Sequence, residues 1–253
     1  MSASSGDHSP RYRLFVTAPL AEGARIALDP ARSHYLGTVL RGRVGEAVAL
    51  FNGHDGEWRA EIAALGRGRG ELRVDTRLRE QAPEPDLWLC FAPLKKERSD
   101  LVAEKAGELG VSLLQPVFTA RTNAGRVNIE RLGARAMEAA EQCGRLTVPA
   151  VRAPVDLADL LRDWPADRRL YLCDETGTAP PAADVLARPD PLTRQAVVIG
   201  PEGGLEAAEF AALRGLAQTR AISLGPRTLR AETAAIVALA LVQALVGAAA
   251  DLS

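Results

Sequence analysis

The order of apolar and polar positions divides the chain into two regions with different rhythms. In residues 11–78, turn-forming stretches such as NGHDG and GRGRG separate four short strand-like runs: RLFV, EAVALF, EWRAEIAAL and GELRVDTRL. One helix is predicted between them, ARSHYLGTVLR, with an apolar face formed by Tyr35, Leu36, Val39 and Leu40. Many short strands with little helix predict a small β-barrel.

The rhythm changes after REQAPEPD, residues 79–86, a polar stretch with two prolines that we interpret as a linker. From Leu87 onward, strands of the buried type alternate with helices. The predicted strands are LWLCFA, SLLQPVF, RLYLCD, QAVVIG and RAISLG, and the predicted helices are KKERSDLVAEKAGELG, NIERLGARAMEAAEQCGR and two that begin near Leu205 and Ala231. This alternation predicts an α/β domain, residues 87–253, whose parallel sheet is covered on both faces.

The ends of three predicted strands indicate where a ligand would bind. In open parallel sheets, ligands lie beyond the carboxyl ends of the strands. Three strands end at Cys173-Asp174, Ile199-Gly200 and Leu224-Gly225. We therefore expect these three ends to converge on one site.

The C-terminal segment, residues 233–250, carries no charge over 18 residues and approaches the length of a membrane span. Its high alanine content and the internal Gln243 favour a different interpretation. We predict a helix that is buried on all sides, either in the core or in a subunit interface.

Charge and the scarce residue types exclude several classes of function. The formal net charge is −1, but residues 11–79 hold 12 arginines against 8 acidic residues, a basic bias that is compatible with RNA. Three widely spaced cysteines without a CxxC pair are typical of a reducing, cytoplasmic compartment. The histidines have no ligand spacing, so no metal site is expected. Residues 1–10 are polar and are predicted to be a flexible tail.

The stretch VVIGPEGGLEAAEF, residues 197–210, is a glycine-rich corner between a strand and a helix. It is neither a P-loop nor a dinucleotide fingerprint, because GK[ST] and GxGxxG are both absent. Gly203 and Gly204 allow a tight turn, but Glu202 beside them would repel a phosphate. An acid at this position suits a cation or a sugar hydroxyl.

A second corner, SLGPRTLRAETAAIVAL at residues 223–239, repeats the Gly-Pro pair of the first. Charged and polar residues cluster immediately before its apolar helix: Arg227, Arg230, Glu232 and Thr233. A charged cluster that leads into a buried helix is costly unless it is paired or used. This pattern favours a functional role for the cluster.

The two corners together, IGPEGG followed by LGPRTLRAETAA, resemble the 16S ribosomal RNA uridine-N3 methyltransferases of the SPOUT superfamily. RSHYLGTVLRGRVGEAVALFNG is similar to the N-terminal barrel of that family, and APLKKERSDLVAEKAGELGV and EAAEQCGRLTVP resemble its other motifs, so the likeness covers nearly the whole chain. It implies a SPOUT methyltransferase domain with a C-terminal deep trefoil knot, preceded by a small PUA-like β-barrel that binds RNA.

The resemblance implies S-adenosyl-L-methionine as the cofactor, held mostly by backbone groups of loops at residues 172–176, 200–204 and 224–233. The implied cofactor-binding residues are Leu172, Gly200, Pro201, Glu202, Gly203, Leu224, Gly225, Leu229, Arg230 and Thr233. The implied partners are 16S rRNA within the assembled 30S subunit and a second copy of the chain, with the C-terminal helix near the dimer interface.

The chemistry of uridine N3 narrows the catalytic candidates. Its proton must leave, so the site needs a base or a group that stabilises the uridine anion. Arg230 is the candidate for electrostatic stabilisation, with Glu232 orienting it or acting as the base. Glu202 is the alternative base, and the sequence does not rank the two carboxylates.

Candidate RNA contacts lie outside the two corners. In the barrel they are Arg41, Arg43 and Asn52, whose side chains suit the phosphate backbone. In EQCGR, Gln142 could read the uracil edge and Arg145 a phosphate, although a solvated helix end explains this motif equally well.

Three other functions remain compatible with the sequence. The first is a SPOUT enzyme that methylates a ribose 2′-hydroxyl in rRNA or tRNA. The second is a nucleotide hydrolase, which the missing lysine and metal-binding acids disfavour. The third is a non-catalytic RNA-binding module, which predicts no binding of S-adenosylmethionine.

Overall fold

The computed structural model describes residues 10–66 and 68–247, which form two compact units. One unit contains the chain up to Pro83 together with Glu141–Thr147, and the other contains residues 84–140 and the chain from Val148 onward. Apart from Pro10, the tail predicted at residues 1–10 lies outside the described residues.

The first unit is built on a five-stranded sheet in the order β1-β3-β4-β5-β2. Its strands are β1 (Tyr12–Phe15), β2 (Arg25–Leu28), β3 (Ala47–Phe51), β4 (Glu57–Gly66) and β5 (Arg69–Arg79). β1 and β3 pair in parallel, and the other pairings are antiparallel. The core contains apolar residues from these strands, among them Leu14, Val48, Leu50, Ile62 and Leu72. Four of the five strands were predicted; β2 was missed because four residues give too short a pattern.

The predicted helix of this unit is shorter and wound differently from the expectation. It consists of α1 (Pro30–His34) followed by a π-helical turn, Tyr35–Val39. The Leu40 amide donates to the Tyr35 carbonyl, five residues back, at 2.9 Å. This wider turn breaks the predicted apolar face: Leu36 is fully buried, whereas Val39 is exposed. The prediction that Val39 shares one face with Leu36 was therefore wrong.

The second unit contains a seven-stranded sheet in the order β12-β10-β11-β6-β7-β8, with β9 also paired to β7. The strands are β6 (Leu87–Phe91), β7 (Leu113–Phe118), β8 (Ala150–Val151), β9 (Val155–Asp156), β10 (Arg168–Cys173), β11 (Arg194–Ile199) and β12 (Thr219–Ile222). Every strand pairing in it is parallel, as the alternation of strands and helices predicted.

Six helices accompany this sheet in the described residues: α2 (Lys96–Glu108), α3 (Ile129–Cys143), α4 (Leu157–Arg162), α5 (Ala182–Leu186), α6 (Ala207–Gly215) and α7 (Ala231–Val242). The longer helices were predicted. β8, β9, α4 and α5 were not, because elements of two to six residues carry too little of the hydrophobic period to be recognised.

Side chains from both faces of this sheet are buried in separate apolar clusters. In β6, Leu89 and Phe91 belong to one cluster with residues of α2 and α7, whereas Cys90 belongs to the other with Leu213 of α6. Successive residues of a strand point to opposite faces, so the alternation shows that both faces are covered. The central strands consequently read as continuous apolar runs.

The C-terminal helix only partly matches its prediction. α7 ends at Val242 and continues as a π-helical turn, Gln243–Gly247, while the last predicted residues, 248–250, lie outside the described part. Within the chain, one face of α7 is buried, including Ala235 and Leu239, but Ile236, Val237, Ala240 and Leu241 are only half-buried. The core of this chain does not bury the helix on all sides, so the first predicted alternative was wrong, and burial in a subunit interface stays a prediction. No helix among the described residues is both long and apolar enough to cross a bilayer.

Candidate active site

The carboxyl ends of three neighbouring strands meet at one cavity, as predicted. β10 lies between β11 and β12, so the loops after these strands come together at one edge of the sheet. They enclose a cavity of about 640 Å³, whose lining includes Cys173, Ile199, Gly200, Leu224 and Gly225. This volume is in the range of pockets that hold small-molecule ligands, about 300–1,000 Å³.

The first corner forms one wall of the cavity with a turn that requires glycine. The Gly204 amide donates to the Pro201 carbonyl at 2.9 Å, which closes the turn. Gly204 has a φ of +70°, and a Cβ there would meet the Glu175 carboxylate. Only glycine accepts this φ without strain while leaving room for Glu175.

Residues outside the cavity fix the back of this corner. The Gly203 carbonyl accepts a hydrogen bond from Arg121 Nη1 at 3.0 Å. Glu206 and Glu209 form a capping box at the start of α6, and Glu209 also accepts from the Ala120 amide at 2.7 Å. The corner is therefore held rigidly by its neighbours, and the helix cap uses the two acids that follow the glycines.

The loop after β10 is organised around a buried carboxylate. Asp174 accepts hydrogen bonds from the Thr176 amide, the hydroxyls of Thr176 and Thr178, and Arg214. Burial alone would raise the pKa of Asp174, but these hydrogen bonds and the Arg214 charge lower it overall. Four donors occupy its two oxygens, so Asp174 shapes the loop. Its neighbour Glu175 forms no hydrogen bond or ion pair with any described residue.

The loop between β12 and α7 brings two uncompensated positive charges to the cavity. Arg227 and Arg230 both line it and are exposed. Within residues 10–66 and 68–247, neither guanidinium has a hydrogen-bond or ion-pair partner. Arg230 is also the N-cap residue of α7, and its carbonyl accepts from the Ala234 amide at 2.8 Å. Its backbone is therefore fixed while its charged end is available to a ligand.

A third arginine connects the two candidate bases. Arg98, in the first turn of α2, lines the cavity. Its Nη1 donates to Glu202 Oε1 at 3.2 Å, and its Nε lies 3.6 Å from Glu232 Oε1. Glu202 lines the cavity, whereas Glu232 is buried and does not line it. The two carboxylates are thus brought together by Arg98, but only Glu202 faces the ligand space.

The cavity contains no reactive thiolate. Cys173 lines it, but burial raises the pKa of its thiol to about 12, so the thiol stays protonated near neutral pH. In the part of the chain that the structure describes, no group of three His, Cys, Asp or Glu side chains is placed to hold a metal ion.

Seven of the ten predicted cofactor-binding residues line the cavity: Gly200, Pro201, Glu202, Leu224, Gly225, Leu229 and Arg230. Leu172, Gly203 and Thr233 do not. Leu172 is fully buried in the core on one face of the sheet, because the cavity begins one residue later, at Cys173. Gly203 faces Arg121, and Thr233 is an exposed residue of α7 beside the lining residue Ala234.

The predicted RNA contacts in the barrel separate into one structural residue and two exposed arginines. Asn52 is buried; its amide nitrogen donates to the Ala18 carbonyl and to Asp55, and its oxygen accepts from the amides of His54 and Asp55. These bonds use its hydrogen-bonding capacity for the turn, which argues against a role in RNA binding. Arg41 and Arg43 are exposed, and Arg41 has a φ of +59°.

The EQCGR motif is partly structural. Glu141 is buried, accepts from the Phe15 amide at 3.0 Å and pairs with Arg32 at 2.7 Å. Arg145 is half-buried and donates to the Thr147 hydroxyl at 3.0 Å, while Gln142 is exposed. Of the two side chains in this motif that were predicted to contact RNA, Gln142 is the more exposed.

Arg98 and Glu175 line the cavity but were not among the predicted site residues, although Arg98 lies in a motif that was recognised. A signal was present. α2 follows β6, and β6 neighbours β11, so the start of α2 must lie at the same edge of the sheet as the glycine-rich corner. Applying the strand-end rule to this fourth loop would have found Arg98.

Comparison with known proteins agrees with this architecture. Residues 81–243 match the RNA methyltransferase domain family, and residues 28–75 match the RNA methyltransferase PUA domain family. The chain is 34% identical to ribosomal RNA small subunit methyltransferase E of Rickettsia conorii, over 92% of this chain and 95% of the relative. It is 32% identical to the Synechocystis protein of the same name, over 96% and 80% of the two chains.

A solved structure gives the same result. The ribosomal RNA small subunit methyltransferase E of Neisseria gonorrhoeae, bound to S-adenosyl methionine, has a TM-score of 0.82 and 27% identity, over 92% of this chain and 97% of that one. The predicted SPOUT-type α/β fold with a preceding PUA-like domain is thereby confirmed. With matching domains, fold and sequence over nearly its whole length, the chain belongs to the ribosomal RNA small subunit methyltransferase E family.

Proposed function

We propose that this chain transfers a methyl group from S-adenosylmethionine to N3 of a uridine in the RNA of the small ribosomal subunit. One observation carries the proposal: the cavity at the carboxyl edge of the sheet holds free arginines, Arg227 and Arg230, together with the carboxylates Glu175 and Glu202. The same chain belongs to a family with a relative that binds S-adenosyl methionine.

The lining of the cavity fits this cofactor. Leu205, Leu224 and Leu229 supply an apolar surface for a flat base, and Glu175 supplies a carboxylate without a partner among the described residues. A free carboxylate favours a positively charged sulfonium or the hydroxyls of a ribose. When bound, S-adenosylmethionine supplies a methyl group on a sulfur that leaves with the electron pair of the broken bond.

Residues of the chain must accept the N3 proton and stabilise the negative charge of the ionised uracil. Arg230 is placed to stabilise the uridine anion, since its guanidinium is free and reaches the cavity. The accessibility of the two carboxylates favours Glu202 as the proton acceptor, because Glu232 does not line the cavity. Most of the remaining rate enhancement comes from holding N3 of the uracil in line with the methyl group.

RNA recognition is assigned to three exposed side chains and to the half-buried Arg145. Arg41 and Arg43 are exposed arginines on the PUA-like domain and suit phosphates. Gln142 is exposed and suits a base edge, and Arg145 suits a phosphate. The substrate is 16S rRNA, with the assembled 30S subunit as the form that offers the target.

We also propose a homodimer that forms through the C-terminal helix. Ile236, Val237, Ala240 and Leu241 are apolar and only half-buried in one chain, and a second copy would bury them fully. The free cysteines and an rRNA substrate favour the cytoplasm.

A methylation assay tests the proposal. Intact small subunits that lack the modification, naked 16S rRNA and tRNA are offered side by side with methyl-labelled cofactor, and cofactor binding is measured by calorimetry. We expect cofactor binding, with label transferred to small-subunit RNA and most efficiently to the intact subunit. Transfer to tRNA alone would overturn the assigned substrate, and absence of cofactor binding would overturn the enzyme assignment in favour of an RNA-binding module.

A further inference from the structure

Arg98 is held at the cavity wall by carboxylates on two different elements. Its Nη1 donates to Glu202 of the glycine-rich corner at 3.2 Å, and its Nε lies 3.6 Å from Glu232 of α7. The Arg98 side chain is 34% exposed, and the residue lines the cavity. Its guanidinium therefore has a fixed orientation and still presents N–H groups to a ligand.

Glu232 is placed to act on Arg98 and not on the ligand. Its side chain is 11% exposed, its Oε1 faces Arg98, and its Oε2 is buried without a hydrogen bond to any described residue. Burying a carboxylate oxygen without a hydrogen bond lowers the stability of the fold, and the positive end of the helix dipole at the first turn of α7 offsets only part of this loss. Because Glu232 does not line the cavity, its influence on a ligand passes through Arg98.

The product of ionising uracil explains why a second arginine is useful. Loss of the N3 proton spreads negative charge over N3 and the two carbonyl oxygens that flank it. One guanidinium donates well to one of these oxygens, so full stabilisation needs a donor on each side. The described cavity offers a free Arg230 and an anchored Arg98.

Resting on the proposed uridine-N3 reaction, we infer that Arg98 is a second catalytic arginine, which donates to a uracil carbonyl beside N3, and that Glu232 is its positioning residue. The N3 proton moves to Glu202. The electron pair left on the base forms the bond to the methyl carbon, and the pair of the former carbon–sulfur bond stays on sulfur. Arg98 thus stabilises the anion and orients the acceptor of its proton.

The test measures ionisation of the bound base directly. RNA with 5-fluorouridine at the target position is bound together with S-adenosylhomocysteine, and its ¹⁹F signal is followed against pH. Arg98→Gln should raise the ionisation midpoint by about one pH unit or more. It should also lower single-turnover methyl transfer about 10²–10³-fold. Cofactor affinity should change less than about threefold, because Arg98 is assigned to the uracil and not to the cofactor.

Further variants separate catalysis from support of the loop. Arg98→Lys should give an intermediate ionisation midpoint, because lysine keeps the positive charge but lacks the planar pair of guanidinium donors. This variant replaces Arg98→Gln in the test if the glutamine variant is too unstable to measure. Glu232→Gln should shift the midpoint in the same direction by less. Combining it with Arg98→Gln should add nothing further, since Glu232 acts through Arg98.

Arg121→Gln is the matched control. Arg121 also contacts the glycine-rich corner, at the Gly203 carbonyl, but it does not line the cavity. We expect its midpoint to match that of the unchanged protein. The inference about Arg98 would be overturned by an unchanged ionisation midpoint in Arg98→Gln, or by an equal shift in Arg121→Gln. The proposed function would still stand in either case, provided that the unchanged protein methylates N3. Failure of the unchanged protein to methylate N3 would instead remove the proposed function.

Discussion

The two edges of the parallel sheet, at the amino and the carboxyl ends of its strands, carry arginines in different environments. At the amino ends, Arg168 pairs with Asp86 at 2.6 Å, Arg169 with Asp190 at 2.6 Å, and Arg194 with Asp167 at 2.8 Å. At the carboxyl edge of the same sheet, Arg227 and Arg230 have no partner among the described residues. The same side chain thus stabilises one end of the sheet and leaves charge available at the other.

Arg168 shows how an arginine that supports the fold is paired. It is 1% exposed and donates to Asp86 as well as to the carbonyls of Asp86 and Gln195. Its guanidinium also lies 3.6 Å from the centre of the Trp88 ring. Such an arginine has few donors left for a ligand, whereas an unpaired arginine at a cavity has all of them. Burial with its donors used inside the protein therefore marks an arginine that supports the fold, whereas an arginine that acts on a ligand keeps donors available at the cavity.

The largest expected effect is on catalysis at the unpaired end. Arg230→Ala should abolish methyl transfer or reduce it at least about 10²–10³-fold, because a donor to the developing anion is lost. Cofactor affinity should fall much less, and the urea midpoint should stay nearly constant, since the Arg230 side chain has no partner among the described residues. Single-turnover assays, calorimetry and urea unfolding check the three readouts, and unchanged turnover would exclude Arg230 from the mechanism.

At the paired end, Arg168→Ala should lower the free energy of unfolding by about 3 kcal/mol. This loss is at the low end of the range for breaking a buried ion pair, because the Asp86 side chain is 34% exposed and keeps Arg194 as a partner. Methyl transfer at temperatures where the variant is folded should be close to normal. Urea unfolding measures the loss, with Arg162→Ala, which removes an exposed pair, as the control. A stable but inactive Arg168 variant would contradict the assignment of Arg168 to stability and not to catalysis.

Gly204→Ala tests the geometry of the cavity wall. The φ of +70° costs an alanine about 1–2 kcal/mol, and the new methyl group would displace the Glu175 carboxylate. Cofactor affinity should fall about tenfold as this carboxylate moves. Gly215→Ala is the control, because a Cβ there meets no atom within 4 Å. Equal effects of the two substitutions in calorimetry would show that the wall does not need this glycine.

The paired end should also make stability depend on pH. Partial burial alone would raise the pKa of Asp86, but the hydrogen bond and charge of Arg168 lower it overall. A lowered folded pKa means that this stabilisation is complete above the ordinary carboxyl pKa of about 4 and is lost as pH falls through the lower folded value. Urea midpoints measured from pH 6 to pH 3 should fall less steeply for Asp86→Asn. Identical slopes would contradict this assignment.

The smallest effect is expected in the PUA-like domain, where the same distinction applies. Arg73 pairs with Glu61 at 2.8 Å, whereas Arg41 is exposed and has no partner among the described residues. Arg41→Ala should weaken RNA binding and reduce its salt dependence by a slope of roughly 0.7–0.9 per lost phosphate contact. Arg73→Ala should change the slope less. Binding titrations at several salt concentrations decide, and an unchanged slope would remove Arg41 from the RNA interface.

Much of the fold could be predicted because its signals are local. The buried runs of β6, β10 and β11 and the turn residues after them fixed the parallel sheet and the convergence of its strand ends. The π-helical turn at Tyr35–Val39 was not predictable, because its winding depends on tertiary packing and not on the apolar period. The strands β8 and β9 were not predictable because two residues carry too little of the hydrophobic period.

The site was predicted less completely than the fold, because the spacing of residues along the sequence does not show which distant residues are in contact. Glu202 and Glu232 are 30 positions apart, and only the structure shows that Arg98 joins them and that Glu232 lies outside the cavity lining. Asn52 looked available in a turn sequence, but its hydrogen bonds to Ala18 and Asp55 depend on how the turn folds back. Polarity in a loop does not distinguish a satisfied side chain from a free one.

The most direct test of the account maps the methylated atom. Small subunits that lack the modification are incubated with the protein and S-adenosylmethionine, and the digested RNA is examined by mass spectrometry. We predict one new methyl group on N3 of a uridine in the small-subunit RNA, absent when Arg230→Ala replaces the unchanged protein. A methyl group on a ribose 2′-hydroxyl, or on N3 at an equal rate with the variant, would contradict it.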